Sequence, residues 1–178
     1  FFNASKMLTS EGLSEIADCY IEAIEESSIK FDSIFGPAYK GIFLASVIGA
    51  KLKNKNIPIA FDRKELKNHG EGGKIIGLPP TGNVLIIDDV LSAGTAARES
   101  IENIKSINEV KSLTLIIGLD RQEKGLGEMS SKDELMKSYN VKVFSVINLD
   151  TLITFSSNHE DFKKYKSKLD TYRSNWGA

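Results

Sequence analysis

The sequence predicts an α/β fold, a doubly wound and mostly parallel central sheet flanked by helices, and three observations support this prediction. Apolar stretches of strand length alternate along the chain with stretches of helical periodicity. Residues 84–87 are apolar without polar alternation, which is typical of a strand buried on both faces of a parallel sheet. A chain of 178 residues, 41% of them hydrophobic, has the size of a single domain, residues 1–178.

The first part of the chain predicts two helices and two strands. Apolar residues recur at intervals of three and four over 11–27, which indicates an amphipathic helix. A short strand over 31–35 is followed by a Gly-Pro break and by a largely apolar helix over 38–53. The next strand is expected over 57–61.

The remainder of the chain continues this alternation. The strand over 84–87 leads into a helix over 96–107, and a further buried strand is expected over 112–119. Another helix and strand follow, over 133–139 and 141–147. The tail from residue 150 onward is expected to be helical, with core contacts from Leu152, Ile153, Phe155, Phe162, Tyr165 and Leu169.

Composition restricts the class of partner. The net charge of −1 and the isoelectric point near 6.2 provide no overall attraction for nucleic acid or an anionic membrane, so an anion site must be local. No apolar run has the length of a membrane-spanning helix, and no secretory signal opens the chain. The single cysteine, Cys19, is expected to be a structural thiol, and a cytoplasmic location fits. Because the chain starts at Phe1 without a methionine, we expect its N-terminal segment to be missing.

The most informative stretch is the apolar strand that ends in Asp88 and Asp89 and continues through residues 92–95, Ser-Ala-Gly-Thr, into a helix. The unpaired N–H groups and the positive dipole end at the start of such a helix attract a phosphate. Carboxylates there suit sugar hydroxyls, or they help to hold a Mg²⁺ ion that neutralises a polyphosphate. The same acids also fit an ordinary βα turn with Thr95 as the N-cap, although the whole string is more specific than an acidic pair.

A cationic, glycine-rich loop is expected over about 63–77. Its four cations outnumber its two acids, and three glycines within 70–73 make the backbone mobile. A mobile cationic lid is suited to a departing pyrophosphate, on which charge accumulates. The other interpretation is a solvated surface hairpin, and His69 by itself is more often an incidental polar residue.

Two further turns carry candidate ligand contacts. The turn at 36–41 places Lys40 at a helix start, where it either lies in solvent or contacts the same diphosphate. Arg121 follows a buried strand directly, and it either pairs with a nearby acid or binds a substrate carboxylate with its planar fork. Phe1 and Phe2 are either core residues or stacking partners of a flat heterocycle.

Taken together, several stretches resemble the orotate phosphoribosyltransferases of bacteria and fungi, which are type I phosphoribosyltransferases. In order along the chain they are residues 1–3, 36–41, 63–65 with 67–72, 88–95 and 119–123. The resemblance implies the type I phosphoribosyltransferase fold with a mobile lid loop. It also implies a Mg²⁺-dependent enzyme of pyrimidine (UMP) biosynthesis that joins orotate to 5-phosphoribosyl-1-diphosphate (PRPP), giving orotidine 5′-monophosphate and pyrophosphate.

The resemblance further implies roles for individual residues. Catalysis would fall to Lys67, His69, Asp88 and Asp89, and the two aspartates would be the metal contacts, with Mg²⁺ held mostly through PRPP. Lys64 would reach into the partner's site across a homodimer. Orotate would contact Phe1, Phe2, Ser92 and Arg121. PRPP would contact Tyr39, Lys40, Arg63, Lys64, Lys67, His69, Asp88, Asp89, Val90, Leu91, Ser92, Ala93, Gly94, Thr95 and Ala96.

Two departures from the family pattern and two alternatives accompany this interpretation. Ser92 stands where close relatives have threonine, and the hydroxyl is retained. The family's N-terminal Lys-Ser-Gly-like stretch has no counterpart in this sequence. A type I phosphoribosyltransferase for another base would keep the PRPP signature, but adenine and hypoxanthine offer Arg121 no carboxylate. A non-catalytic PRPP-sensing regulator should show a nucleic-acid module or a basic face, and the sequence contains neither.

Overall fold

The computed structural model describes residues 3–52, 56–67, 73–91, 95–107 and 109–178, and it describes the side chains of these residues except 64–67, 73, 95 and 96. The helices are α1 (Ser10–Glu26), α2 (Lys40–Lys51), α3 (Thr95–Lys105), α4 (Ser131–Tyr139), α5 (Leu149–Asn158) and α6 (Lys163–Trp176). Short 3₁₀ helices lie at Ala4–Met7 and Glu160–Phe162. The strands are β1 (Ser33–Gly36), β2 (Ile59–Lys67), β3 (Gly73–Gly77), β4 (Gly82–Val90), β5 (Val110–Asp120) and β6 (Lys142–Asn148).

The described strands form one sheet in the order β3-β2-β1-β4-β5-β6. Only β2 and β3 pair antiparallel among them, and the other neighbours are parallel. The strand order reverses direction between β1 and β4, which is where ligands bind in open α/β sheets. The predicted doubly wound, mostly parallel fold is confirmed.

The core lies on both faces of this sheet. Alternate residues of β4 point to opposite sides, so Val84 and Ile86 join one apolar cluster while Leu85 and Ile87 join the other. The first cluster is completed by α3 and α4 and the second by α1 and α2. This two-sided burial explains why β4 carries no polar alternation along its apolar run.

Helix ends follow local side-chain chemistry. The Thr9 hydroxyl accepts from the Gly12 N–H (3.0 Å) at the start of α1, and the Ser130 hydroxyl accepts from the Asp133 N–H (3.1 Å) at the start of α4. Helix α4 is followed by the C-cap residue Asn140, which is left-handed with φ 54°. Within the described residues, no helix is long and apolar enough to cross a membrane.

The expectation of a loop over 63–77 is wrong at both of its ends. Residues 63–67 continue β2, and β3 begins at Gly73 and pairs antiparallel with it, as in the contact between Asp62 and Ile75. Backbone pairing at a sheet edge tolerates charged side chains, so residues 63–67 continue the strand although four of the five are charged. The middle of the predicted lid, including His69, lies outside the described residues, and its mobility stays a prediction.

The expected core contacts of the tail and the structural role of Cys19 are also wrong. Cys19 is exposed on α1, although the next residue, Tyr20, is buried. In the tail, Leu152, Ile153 and Leu169 are half-buried, and Phe155, Phe162 and Tyr165 are exposed. Helical spacing places residues on one face, but whether that face is covered depends on which elements pack against it.

Candidate functional site

The candidate site is built on the carboxyl-terminal side of β1, β2 and β4. Phe35 of β1 is paired with Ala60 of β2 and with Ile86 of β4, so the residues just after these paired positions meet at one edge of the sheet. They are the 36–41 turn, Asp62 and the acidic pair Asp88 and Asp89. The sequence predicted the turn and the acidic pair at such an edge, and the structure brings them together.

A half-buried ion pair lies at the centre of this edge. The Nζ atom of Lys40 lies 2.5 Å from Oδ2 of Asp89, whose side chain is only 6% exposed. A carboxylate removed from water requires such a partner, because an unpaired buried charge is costly. The ion pair therefore joins the first residue of α2 to the end of β4.

Burial dominates the titration of Asp88. Burial raises the pKa of Asp88 from the ordinary 3.8 to about 7, against the hydrogen bond that its Oδ1 accepts from the Asp89 N–H (2.9 Å). The charge of Asp89 raises this pKa further, and the charge of Lys40 lowers it. The edge thus holds one ion-paired carboxylate and one carboxyl that changes protonation near neutral pH.

Tyr20 is a site contact that the sequence analysis did not find. Its hydroxyl donates to the main-chain oxygen of Asp88 (2.7 Å), and the residue is buried under the sheet. Burial, followed by the charges of Asp88 and Asp89, raises the pKa of the Tyr20 phenol well above its ordinary value, so it stays a neutral donor. Its position on the apolar face of α1 made it look like an ordinary core residue.

Two glycines allow the 36–41 turn to approach β4 closely. A Cβ atom on Gly36 would lie 2.3 Å from the carbonyl oxygen of Gly41, and one on Gly41 would lie 2.7 Å from that of Ile87. The Ala38–Tyr39 peptide bond is cis, and the Tyr39 ring is 73% exposed. The turn therefore packs its backbone against β4 and presents Tyr39 to solvent.

Asp62 is a second residue that the sequence analysis missed. It is 7% exposed, its Oδ1 accepts from the Ala38 N–H (2.5 Å), and its Oδ2 accepts from the Ser100 hydroxyl (2.6 Å). The only sequence signal was an acid beside the cation Arg63 at the end of an apolar strand. The carboxylate joins β2 to the 36–41 turn and to α3.

The remaining predicted PRPP contacts are described only in part. Val90 is the last residue of β4, Leu91 is buried in the core, and α3 begins at Thr95 as the phosphate-binding hypothesis requires. Arg63 follows Asp62, and its Nε atom is buried without a hydrogen-bond partner. Backbone alone is described for Lys64, Lys67, Thr95 and Ala96. The predictions for Phe1, Phe2, His69, Ser92, Ala93 and Gly94 lie outside the described residues.

Arg121 lies one strand further along the same edge. It follows the end of β5, whose Leu119 pairs with Val90 of β4. Its guanidinium lies 2.9 Å from Oε2 of Glu123, and the other oxygen of Glu123 accepts from the Tyr172 hydroxyl of α6. The sequence left two roles open for Arg121, pairing with a nearby acid or binding a substrate carboxylate. Both remain, since Arg121 pairs with Glu123 and also lines a cavity of about 460 Å³ beside α5 and α6.

The carboxylates at this edge fit a hard divalent cation. Carboxylate oxygens are the ligands that Mg²⁺ prefers, and the ion commonly takes only one or two of them together with substrate phosphates. Within the described residues, no group of three or more His, Cys, Asp or Glu side chains could hold a metal ion. Asp88 and Asp89 are therefore the candidate protein contacts for a metal that arrives with a phosphate ligand.

Comparison with known proteins gives a consistent result. The family model described as phosphoribosyl transferase domain matches residues 5–165. The orotate phosphoribosyltransferase of Actinobacillus pleuropneumoniae serotype 5b (strain L20) is 42% identical, and the match covers 100% of this chain and 84% of that protein. The orotate phosphoribosyltransferase of Pseudomonas fluorescens (strain Pf0-1) is 41% identical, with coverages of 100% and 85%.

Solved structures show the same fold. The crystal structure of orotate phosphoribosyltransferase from Francisella tularensis has a TM-score of 0.81 at 35% identity, and the match covers 100% of this chain and 86% of that one. The structure of Leishmania donovani UMP synthase has a TM-score of 0.78, and the match covers 99% of this chain and 36% of that one. At 23% identity, the second similarity concerns the fold alone.

Proposed function

The chain belongs to the phosphoribosyltransferase domain family and, within it, to the orotate phosphoribosyltransferases, and on this premise we propose how its residues carry out the reaction. Its activity is the transfer of the 5-phosphoribosyl group from PRPP to orotate, which gives orotidine 5′-monophosphate and pyrophosphate in pyrimidine biosynthesis. The bond from C1 of the ribose to the diphosphate breaks, a bond from C1 to the base nitrogen forms, and pyrophosphate leaves.

The observation that best supports the site assignment is the half-buried Lys40–Asp89 ion pair beside Asp88, at the switch point of the sheet. Asp88 and Asp89 accept hydrogen bonds from the ribose hydroxyls. The first N–H groups of α3 and residues 90–96 hold the 5-phosphate. PRPP binding in this orientation places its C1 atom toward Arg121.

The diphosphate lies against the 36–41 turn, with contacts from Tyr39 and Lys40. The three N–H groups of a lysine ammonium allow Lys40 to bind phosphate while it stays beside Asp89. Arg63, Lys67 and His69 contact the diphosphate from the lid side and stabilise the charge that accumulates on it as the C1 bond breaks. Lid closure excludes water, which would otherwise hydrolyse PRPP.

The enzyme is proposed to depend on Mg²⁺. Bound together with PRPP, the ion would neutralise negative charge on the diphosphate, and Asp88 and Asp89 are the residues that would hold it. Their own contribution is to orient the sugar.

Orotate is proposed to contact Arg121, Ser92, Phe1 and Phe2. The Arg121 guanidinium forms paired hydrogen bonds with the orotate carboxylate, and the aromatic rings stack on the flat base. Because Glu123 pairs with the guanidinium and itself accepts a hydrogen bond from Tyr172 of α6, the arginine is oriented before the substrate arrives.

The decisive experiment for the activity is a competition of bases. Purified protein with Mg²⁺ and PRPP is supplied in turn with orotate, adenine and hypoxanthine, and base consumption and pyrophosphate release are measured. Orotate alone should be consumed. Use of a purine would indicate a different base specificity, and PRPP binding without consumption of any base would indicate a sensor.

We propose further that the enzyme is a cytoplasmic homodimer in which Lys64 enters the partner's site. Inactive Lys64→Ala and Asp89→Asn chains, mixed and allowed to exchange subunits, should then recover part of the wild-type turnover, because one of the two sites in a mixed dimer has both residues intact. Each variant incubated alone is the control. Absence of recovery, with subunit exchange demonstrated by size and labelling, would contradict the shared site.

A further inference from the structure

Asp62 is a buried carboxylate whose two oxygens serve two different segments. Oδ1 accepts the Ala38 N–H at 2.5 Å, and Oδ2 accepts the Ser100 hydroxyl at 2.6 Å. The residue is 7% exposed, and Ser100 is 3% exposed, so neither contact competes freely with water. Hydrogen bonds to a charged acceptor are among the stronger ones in proteins, particularly where water is excluded.

The three elements joined by Asp62 are those that surround PRPP in the proposed function. Asp62 itself lies in β2, directly before the predicted lid cation Arg63. Ala38 lies in the turn whose next two residues are the proposed diphosphate contacts. Ser100 lies in α3, five positions after the helix start that faces the proposed 5-phosphate site.

The 36–41 turn is held from two sides: Lys40 pairs with Asp89 on the side of β4, and the Ala38 N–H bonds Asp62 on the side of β2. The turn contains two glycines and an exposed Tyr39, and the side chain at position 38 is only a methyl group. Asp62 therefore anchors the turn on the side of β2, at the residue directly before Tyr39 and Lys40.

We propose that Asp62 is a positioning residue for the leaving diphosphate: by accepting the Ala38 N–H it holds the 36–41 turn in the conformation that binds pyrophosphate. This inference rests on the proposed function, which places the diphosphate at that turn. Asp62 itself does not touch the substrate. Its contact with Ser100 keeps the carboxylate oriented, and its contact with Ala38 carries the effect to the site.

The test separates positioning from general stability by comparing four variants. Asp62→Ala removes both contacts, and Asp62→Leu removes both while filling a similar volume. Asp62→Asn retains an acceptor for the Ala38 N–H and a group that bonds the Ser100 hydroxyl. Ser100→Ala is the matched control, because it removes only the contact on the side of α3.

The readouts are the dissociation constant of Mg²⁺-pyrophosphate by calorimetry and the KM values for PRPP and orotate. Asp62→Ala and Asp62→Leu should weaken pyrophosphate binding and raise the KM for PRPP roughly tenfold or more, as expected for a lost hydrogen bond to a charged group. The KM for orotate should change far less. Asp62→Asn should recover most of the affinity, and Ser100→Ala should keep most of it.

Several results would overturn the proposal. They are unchanged pyrophosphate affinity in Asp62→Ala or Asp62→Leu, equal losses for both substrates, and a loss in Ser100→Ala as large as that in Asp62→Ala. If neither variant folds, amide exchange of Ala38 in the wild type decides, since slow exchange is expected and the rate of an exposed amide would refute the contact. A wild-type chain that consumes no orotate with PRPP would instead refute the proposed function.

Discussion

Two parts of the substrate edge are built in different ways. The diphosphate side, formed by residues 36–41 with Asp62, Asp88 and Asp89, has its polar groups paired with one another inside the protein. The base side, formed by Arg121 with α5 and α6, combines one ion pair with a cavity lined by apolar side chains such as Leu119, Leu152 and Leu169. The polar groups of the first side are already fixed for a charged ligand, whereas the second side offers apolar surface that a ligand can bury.

This difference follows from what each side must bind. A diphosphate carries most of the charge of the reaction, so its site gains from groups that are fixed before binding and that cost no reorganisation. A flat base presents one carboxylate and two apolar faces, so its site needs one oriented cation and aromatic surface. The two sides should therefore respond separately to substitution, and each prediction below tests that separation.

The largest expected effect concerns the lid on the diphosphate side. Lys67→Ala should lower kcat roughly 10²–10³-fold with the fold intact, because the lost cation would otherwise stabilise the charge of the departing pyrophosphate. Steady-state kinetics together with a circular-dichroism melt measure this. The KM for orotate should hardly change, and unchanged turnover would remove Lys67 from the mechanism.

The next effect concerns the stability of the diphosphate side. Lys40→Met should lower the free energy of unfolding by about 2 kcal/mol, because it leaves Asp89 buried and unpaired. The loss stays below that of a fully buried pair, since the Lys40 side chain is 34% exposed. Urea unfolding measures the difference.

A surface ion pair provides the control for that measurement. Lys163 pairs with Glu160 at the start of α6, where both side chains are at least half exposed. Lys163→Met should change the free energy of unfolding by less than about 0.5 kcal/mol. Equal losses in the two variants would contradict a special role for the Lys40–Asp89 pair.

On the base side, Arg121→Ala should raise the KM for orotate roughly tenfold or more, because the carboxylate loses a charged hydrogen-bond partner. The KM for PRPP should stay within about twofold of the wild-type value, because the ion pair and hydrogen bonds of the diphosphate side are left intact and distant sites act independently. Arg173→Ala is the matched control, as Arg173 pairs with Asp150 in the same part of the chain. Equal weakening of both substrates would argue against a carboxylate contact.

The smallest expected effect comes from Asp88. With a pKa of about 7, its carboxylate is largely protonated at pH 6 and largely ionised at pH 8. If the ionised form binds the ribose hydroxyls, kcat/KM for PRPP should rise roughly tenfold across this interval. Asp88→Asn should remove this step from the pH profile, and a wild-type profile without it would contradict the assignment.

The same carboxyl should also affect stability, with a definite sign. Its folded-state pKa lies above the ordinary 3.8, so between about pH 4 and 7 the folded chain binds more protons than the unfolded chain. The contribution of Asp88 to stability is therefore present below this window and is lost as pH rises through it. Melting temperatures of the wild type and Asp88→Asn should differ in their pH dependence across the window in that direction.

Sequence alone was sufficient for features that depend on local pattern. The apolar run before Asp88, the alternation of strands and helices, and the turn at 36–41 determined the fold class and the location of the acidic pair. These features are local because strand burial and turn formation leave their signature in consecutive residues. The five-part resemblance added the family, which the comparisons confirm.

The tertiary structure decided which groups meet. Asp62 and Tyr20 looked like an acid beside a cation and a core aromatic, and only packing brings them to Ala38, Ser100 and the main chain of Asp88. Strand pairing at the charged edge and the exposure of the tail aromatics also depend on neighbours that are distant in sequence. Hydrogen bonding and burial are properties of pairs of segments, and a single sequence records each segment without its partner.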